Sequence, residues 1–251
     1  MTATRFAGTV SYDGTDFAGS QMQPNARTVQ QELETACRAL FGSPLRVEMA
    51  GRTDRGVHAI GQVVAFSAET RLDVTRVGRA LNAHLPQDVA VRNLRVAPVG
   101  FDPRRWARRR SYRYTIWHKD VRAPLLRRTA WHVEGNLDVA AMQEAAGALA
   151  GQQDFLACSG HLEAGRTSVR RVFESGWRCE GSLLLFDITA DAFLPQMVRR
   201  LTGALVRVGR GSLAVKEFVR LLEQAEPGTL GPTAPPHGLC LERVEYDEGY
   251  E

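Results

Sequence analysis

The residues most suited to chemistry lie in the stretch AGRTDRGVHA, from Ala50 to Ala59. It places one acid, Asp54, between Arg52 and Arg55, with glycines at 51 and 56, and an apolar run follows from Gln62. A lone carboxylate can act as nucleophile, base or electrostatic stabiliser once it is held in a pocket. The same pattern can also be a surface ion pair, worth roughly 0 to 1 kcal/mol. His58 stands four residues beyond Asp54. A structural histidine of the turn is the favoured reading of it.

A second chemical feature is positive charge. RRWARRRSYR, from Arg104 to Arg113, holds Arg104, Arg105, Arg108, Arg109, Arg110 and Arg113, two aromatics and no acid. Arg122, Arg127 and Arg128 continue the trend. Such a block is costly unless a polyanion faces it. Its planar donor forks suit phosphate, and interleaved Trp106 and Tyr112 could stack on bases. The alternative is a solvated, arginine-rich linker. Lys119 and Lys216 are the only lysines among 32 basic residues, a bias that base composition of the genome could also produce.

The elements that would position these residues follow a repeated order. RFAGTVSY reads as a strand. TVQQELETACRALFG reads as a helix, capped by Thr28 with Gln31 three residues on and ended by Gly42. Strands near 45–50 and 61–67, a helix in DVTRVGRALNAHL and a strand in VAVRNLRVAPV complete βαββαβ. The second half reads similarly: a strand in RSYRYTIWH, a helix in NLDVAAMQEAAGALAG and a hairpin over SVRRVFESGWRCEGSLLLFDITA. A helix in LPQMVRRLTGALVRVGRG, with Pro195 near its first turn, a short helix in LAVKEFVRLLEQ and a closing strand, GLCLERVEY, follow. The expected class is α+β: two ferredoxin-like halves, residues 1–103 and 104–251, with an antiparallel or mixed sheet. A central cleft between the halves would be the natural site.

Bulk properties narrow the setting. With 251 residues, 44% of them apolar, the chain can build a large core. The net charge is +4 and the isoelectric point about 9.1. Cys37, Cys158, Cys179 and Cys240 have neither zinc-like spacing nor a C-x-x-C pair, as expected of a reducing compartment. The N-terminus has no apolar signal-peptide core, and no run approaches the roughly 20 apolar residues of a membrane span. A soluble cytoplasmic protein is expected.

Five blocks, in order, carry a resemblance. GRTDRGVHAIGQVVAF resembles the active-site motif of the TruA family of tRNA pseudouridine synthases. VSYDGTDFAGSQMQPNARTVQQELE resembles the family's first strand, loop and helix, and FDPRRWARRRSYRYTIW its arginine-rich approach to a Tyr-x-Tyr strand. FLPQMVRRLTGALVRVGRG and TAPPHGLCLERVEY resemble its later helix and its closing strand. The likeness runs from about residue 5 to 247. Two positions depart from the pattern: Ser20 follows Gly19 where the family usually has Trp, and Phe17 stands where Tyr is common. Both are expected to affect a tRNA-facing loop rather than the turn of Asp54.

The resemblance implies a reaction and roles. The enzyme would break the N-glycosidic bond of a uridine at positions 38, 39 and 40 of the tRNA anticodon stem-loop, turn the base, and rejoin it through carbon. It would use no cofactor and no metal, and would act as a homodimer with one tRNA reaching across both chains. Asp54 would be the catalytic carboxylate. Desolvation disfavours a charged carboxylate and a guanidinium restores it, and the resemblance gives that part to Arg199. Tyr112 would stack on the flipped uracil and is a candidate base for the carbon-bound proton. Arg52 would promote flipping, and Arg55 is left to phosphate contact or to no role. Leu194 and Met197 could wall the pocket or be plain helix core. Asp13, with Asp16, could pass for a metal pair, but a loop shaping the RNA site is preferred, since no third ligand is near. The rival readings are a synthase acting on another structured RNA, a non-catalytic RNA-binding protein of the same fold, and a DNA-binding module.

Overall fold

The computed structural model describes residues 3–159, 165 and 167–247. It divides into two compact units. One runs to Arg108 and takes in the C-terminal residues from Leu241; the other is Arg109–Cys240.

The first unit has the order βαββαβ: β1 (Thr4–Tyr12), α1 (Val29–Phe41), β2 (Glu48–Met49), β3 (His58–Ala68), α2 (Val74–His84) and β4 (Val89–Val96). β1 lies between β3 and β4, antiparallel to both, and β2 pairs antiparallel with the far side of β3. Strand side chains alternate between faces. Phe6, Val10 and Tyr12 of β1 are therefore buried together while Thr9 and Ser11 are half-exposed. Phe6 sits opposite Phe66 with ring centroids 5.4 Å apart, and Phe41 of α1 lies 6.0 Å from Phe66. α1 buries Val29, Leu33, Ala36 and Cys37, one helical stripe. Val29 and Leu33 each contribute about 1.5 to 3 kcal/mol by such burial, and Ala36 less. Thr28 Oγ1 accepts the Gln31 N–H at 3.3 Å, and Asp73 Oδ1 accepts the Arg76 N–H at 2.9 Å, so both helices start on a side-chain cap.

The second unit contains β5 (Arg109–His118), β6 (Trp131–Val133), α3 (Val139–Gly147), β7 (Gly151–Asp154), β8 (Val169–Glu180), β9 (Leu183–Ala190), α4 (Met197–Gly209) and α5 (Val215–Gln224). The last strand, β10 (Leu239–Glu245), leaves this unit at Cys240 and continues in the first from Leu241. β9 lies between β5 and β8, antiparallel to both; β7 is antiparallel to β8, and β6 is parallel to β5. The α+β class and the mixed pairing agree with the sequence reading. The core includes Tyr114, Ile116, Met142, Phe186, Ile188, Leu201, Leu205 and Phe218, and Trp177 stacks on Phe186 at 5.0 Å.

Two details differ from the sequence reading. α4 begins at Met197, not at Leu194, because Gln196 is left-handed (φ 62°) and breaks the helical path. β6 and β7 add strands where none was expected. β7 reads Gly-Gln-Gln-Asp, a polar segment without β-branched residues, and its pairing with β8 is carried by the backbone.

Candidate active site

The carboxylate lies in a turn whose backbone is held from several directions. Asp54 O accepts the Val57 N–H at 3.1 Å, closing a four-residue turn. Gly56 occupies its third position at φ 77°, a left-handed value that costs glycine little. Ahead of the turn, Gln62 brackets Gly51: its Nε2 donates to Gly51 O at 2.9 Å and its Oε1 accepts the Gly51 N–H at 3.3 Å. Gln62 is fully buried opposite Val10, on the core face of β3. Thr53 is held by Ser20, whose Oγ accepts the Thr53 N–H at 2.9 Å and whose N–H donates to Thr53 O at 3.1 Å. The Tyr12 hydroxyl lies 2.8 Å from Thr53 Oγ1. Gly56 N–H donates to Phe17 O at 3.3 Å.

The two departures from the family pattern thus bond to the turn of Asp54 itself, which corrects the expectation that they affect only an outer loop. Phe17 is buried, and the Arg27 guanidinium covers its ring at 4.2 Å. Arg27 is fixed in turn by two bonds to Asp88, at 2.7 and 2.9 Å, and one to Glu32 at 2.6 Å.

Arg52 and Arg55 are exposed on either side of the half-buried Asp54. His58 is buried; its Nδ1 accepts the Gly14 N–H at 3.0 Å and lies 3.2 Å from Asp13 Oδ1. That is the structural role expected of it. Asp13 caps the short turn after β1, accepting the Thr15 N–H at 3.0 Å and the Thr15 hydroxyl at 2.6 Å.

In the second unit Tyr112 and Tyr114 occupy alternate positions of β5 and share its buried face. Tyr112 meets Phe193 edge to face at 5.0 Å. Tyr114 donates its hydroxyl to Pro235 O at 2.7 Å. Burial pushes the Tyr114 phenol well above its usual range, and the nearby charge of Arg199 acts in the opposite sense. Arg199 Nε donates to Ala234 O at 2.9 Å. Leu194 is buried just before α4, and Met197 is fully buried at the start of that helix.

The arginine block is less open than its sequence suggests. Arg108 makes a bidentate pair with Asp247, at 2.7 to 3.0 Å, which holds the guanidinium above its usual pKa. Arg109 covers the Phe173 ring at 4.4 Å, and Arg110 Nη1 donates to Asp191 O at 2.7 Å. Arg113 pairs with Asp187 at 2.7 Å, which also accepts from Arg178. Arg104 and Arg105 donate their backbone N–H groups to Asp102, and the Arg105 side chain, 87% exposed, keeps its Nε 3.6 Å from Asp102 Oδ2. Arg122, Arg127 and Arg128 are exposed on the loop between β5 and β6.

Ser20, Gln62 and Tyr12 were missed as site residues by the sequence reading. A signal existed for Gln62, a polar side chain at a core-facing position of an otherwise apolar strand. Ser20 was marked only as a departure from the resembled pattern, and nothing local pointed to its partner 33 residues away.

The sequence profile of the tRNA pseudouridine synthase family matches residues 9–103 and 145–247. A protein of Citrifermentans bemidjiense named tRNA pseudouridine synthase A is 42% identical over 240 residues, covering 95% of this chain and 96% of the relative. Its namesake in Geobacter sulfurreducens is 42% identical over 237 residues, covering 94% and 97%. A third, from Chloroflexus aurantiacus, is 44% identical over 245 residues, covering 96% and 88%. With the profile matched over most of its length and these relatives aligned along nearly all of it, the chain belongs to the tRNA pseudouridine synthase family.

Proposed function

We propose that the protein isomerises uridine to pseudouridine at positions 38, 39 and 40 of the tRNA anticodon stem-loop, with Asp54 as the catalytic carboxylate. The reading rests on one observation above the rest. In a chain of this family, the single acid of the GRTDRG motif sits in a turn whose neighbouring backbone is pinned on both sides. A reacting group must be held close to its productive geometry, and such bracing supplies that.

The chemistry conserves atoms. The C1′–N1 bond of the nucleoside breaks, a C1′–C5 bond forms, C5 loses its proton and N1 gains one. Asp54 would attack or stabilise the sugar–base unit. Tyr112 would stack on the uracil and could take the C5 proton. Arg199 would support the charge of Asp54, Arg52 would fill the space left by the flipped base, and Arg55, Asp13 and Leu194 would shape the RNA site. Extrusion of a base costs a few kcal/mol, which phosphate contacts from the arginine block would offset. We read the working form as a cytoplasmic homodimer. None of the four cysteines is in a disulfide, which fits a reducing compartment.

The test is release of tritium from C5-labelled uridine in an unmodified tRNA transcript. Wild-type protein should release it from the anticodon stem-loop and not from other structured RNAs. Asp54→Asn should release none while binding tRNA within a few-fold of wild type. Release by that variant would remove Asp54 from the mechanism, and release from unrelated RNAs would remove the tRNA assignment.

A further inference from the structure

The polar backbone groups around Asp54 find their partners in a few residues far away in sequence. Gln62 takes both groups of Gly51, Ser20 takes both groups of Thr53, and Phe17 takes the N–H of Gly56. Residues 17–20 therefore run alongside residues 53–56 as a strap. Of the three bonds between these two segments, two are backbone to backbone, Ser20 N–H to Thr53 O and Gly56 N–H to Phe17 O, and would survive a change of side chain. The bond from Thr53 N–H is different: its acceptor is the Ser20 hydroxyl. Ser20 is fully buried and Thr53 is 7% exposed, so without the Ser20 hydroxyl the Thr53 N–H would be left buried and unpaired. The side chain of Thr53 is gripped as well, by the buried Tyr12 hydroxyl at 2.8 Å.

Thr53 is the residue directly before Asp54, and its backbone sets where the Asp54 carboxylate begins. We infer that Ser20 is a positioning residue for Asp54, acting through Thr53, with Tyr12 as its second anchor. The inference rests on the reading of Asp54 as the catalytic carboxylate. The residue type matters: only a side chain that carries an acceptor atom at this place can take the Thr53 N–H. Removing the hydroxyl leaves a buried donor unsatisfied next to the reacting group, and the backbone must shift to find a partner. Misplacement of a reacting group by about 1 Å can cost on the order of a hundredfold in rate.

The experiment uses full-length protein and the C5-tritiated tRNA transcript. Ser20→Ala, Tyr12→Phe, the double variant and Asp54→Asn are compared for kcat, KM, tRNA affinity and melting temperature. Ser20→Ala should lower kcat by about tenfold or more, with tRNA affinity within about twofold, because the fully buried Ser20 hydroxyl is out of reach of a phosphate. Tyr12→Phe should lower kcat in the same direction. The double variant should lose less than the product of the two, since both act on Thr53. A purely structural role would lower the melting temperature and leave kcat per folded molecule unchanged, and that result overturns the inference. So does a loss confined to KM or affinity. If Ser20→Ala does not fold, Tyr12→Phe decides alone, and wild-type kcat in it overturns the inference. An inactive Asp54→Asn beside wild-type kcat in the strap variants would sink the positioning role only. An active Asp54→Asn would sink the reading of Asp54 and the positioning role together.

Discussion

Arg199 and Ala234 hold each other twice: Arg199 Nε donates to Ala234 O at 2.9 Å, and Ala234 N–H donates to Arg199 O at 3.0 Å. Tyr114 grips the next carbonyl, Pro235 O, at 2.7 Å. Further along α4, Arg207 reaches Leu230 O at 3.2 Å. The loop before β10 is thus tied to α4 and β5 by its carbonyls, and the orientation of the Arg199 guanidinium is fixed by the same bonds.

Arg199→Lys separates charge from orientation. Lysine keeps the cation but has no Nε–H at that place and no planar fork. If a positioned guanidinium is what the reaction needs, Arg199→Lys and Arg199→Ala should both lose turnover by about tenfold or more, with tRNA affinity within about threefold. Losing the partly buried bond to Ala234 should cost about 1 kcal/mol, or roughly 2 to 4 °C in melting temperature. Single-turnover kinetics and a thermal melt measure both. Full turnover in the lysine variant would show that any cation suffices.

Tyr112→Phe tests a second role. The ring packs edge to face on Phe193, and phenylalanine preserves that contact. If Tyr112 only stacks on the base, the variant should bind and turn over as wild type. If its hydroxyl takes the C5 proton, tritium release should fall by about a hundredfold while affinity holds. Tyr112→Leu, which removes the ring, should weaken both.

Much of this was legible in the sequence, for a physical reason in each case. The alternation of Phe6, Val10 and Tyr12 and the caps at Thr28 and Asp73 are local signals, and the βαββαβ order follows from them. The motif around Asp54 is also contiguous. What could not be read is what pairs across long separations. The block from Arg104 to Arg113 contains no acid, yet Asp247, Asp187 and the Asp191 carbonyl reach it from 139, 74 and 81 residues away. Ser20 stands out in the sequence only as a departure from the resembled pattern, and its bond to Thr53 appears only in the fold. Gln196, left-handed in a segment with helical periodicity, moved the start of α4, because periodicity reports the apolar face and not a single backbone angle.

The thiols offer a check on packing. Burial pushes Cys37 up to about 12, with Glu34 adding to the shift, and pushes Cys158 further still. The thiolate is the nucleophile, so a raised pKa means almost none of it at neutral pH. Cys179 is exposed. In native protein an aromatic disulfide reagent at about pH 8 should therefore modify Cys179 first and Cys240 more slowly, and leave Cys37 and Cys158 untouched until denaturant is added. Mass spectrometry of the labelled peptides identifies the sites. Rapid native labelling of Cys37 would mean that α1 does not pack as described.

The pair between Arg108 and Asp247 makes a prediction with an unusual sign. Arg108 belongs to the block proposed to face the tRNA backbone, but Asp247 neutralises it through a bidentate contact on the open surface. An exposed pair of this kind contributes little to stability, so breaking it should hardly move the melting temperature. Its effect on RNA should be larger. A phosphate must compete with the carboxylate for the guanidinium, and the carboxylate also repels the phosphate. Asp247→Asn removes both obstacles. Binding should tighten at low salt, and the plot of log affinity against log salt should steepen by up to about 0.9 if Arg108 gains one phosphate of a duplex. Arg108→Ala alone should change affinity little, because the charge it removes is already balanced. Arg105→Ala, which removes a largely exposed cation held only by a looser 3.6 Å contact to Asp102, should flatten the slope by about 0.7 to 0.9. All of these effects should be alike for different tRNA sequences, since phosphate contacts carry no base information. Salt titrations of tRNA binding by the three variants decide it. Unchanged affinity and slope in all three would make this part of the block a solvated linker and move the RNA contacts elsewhere, with the exposed Arg122 and Arg127 the next residues to change.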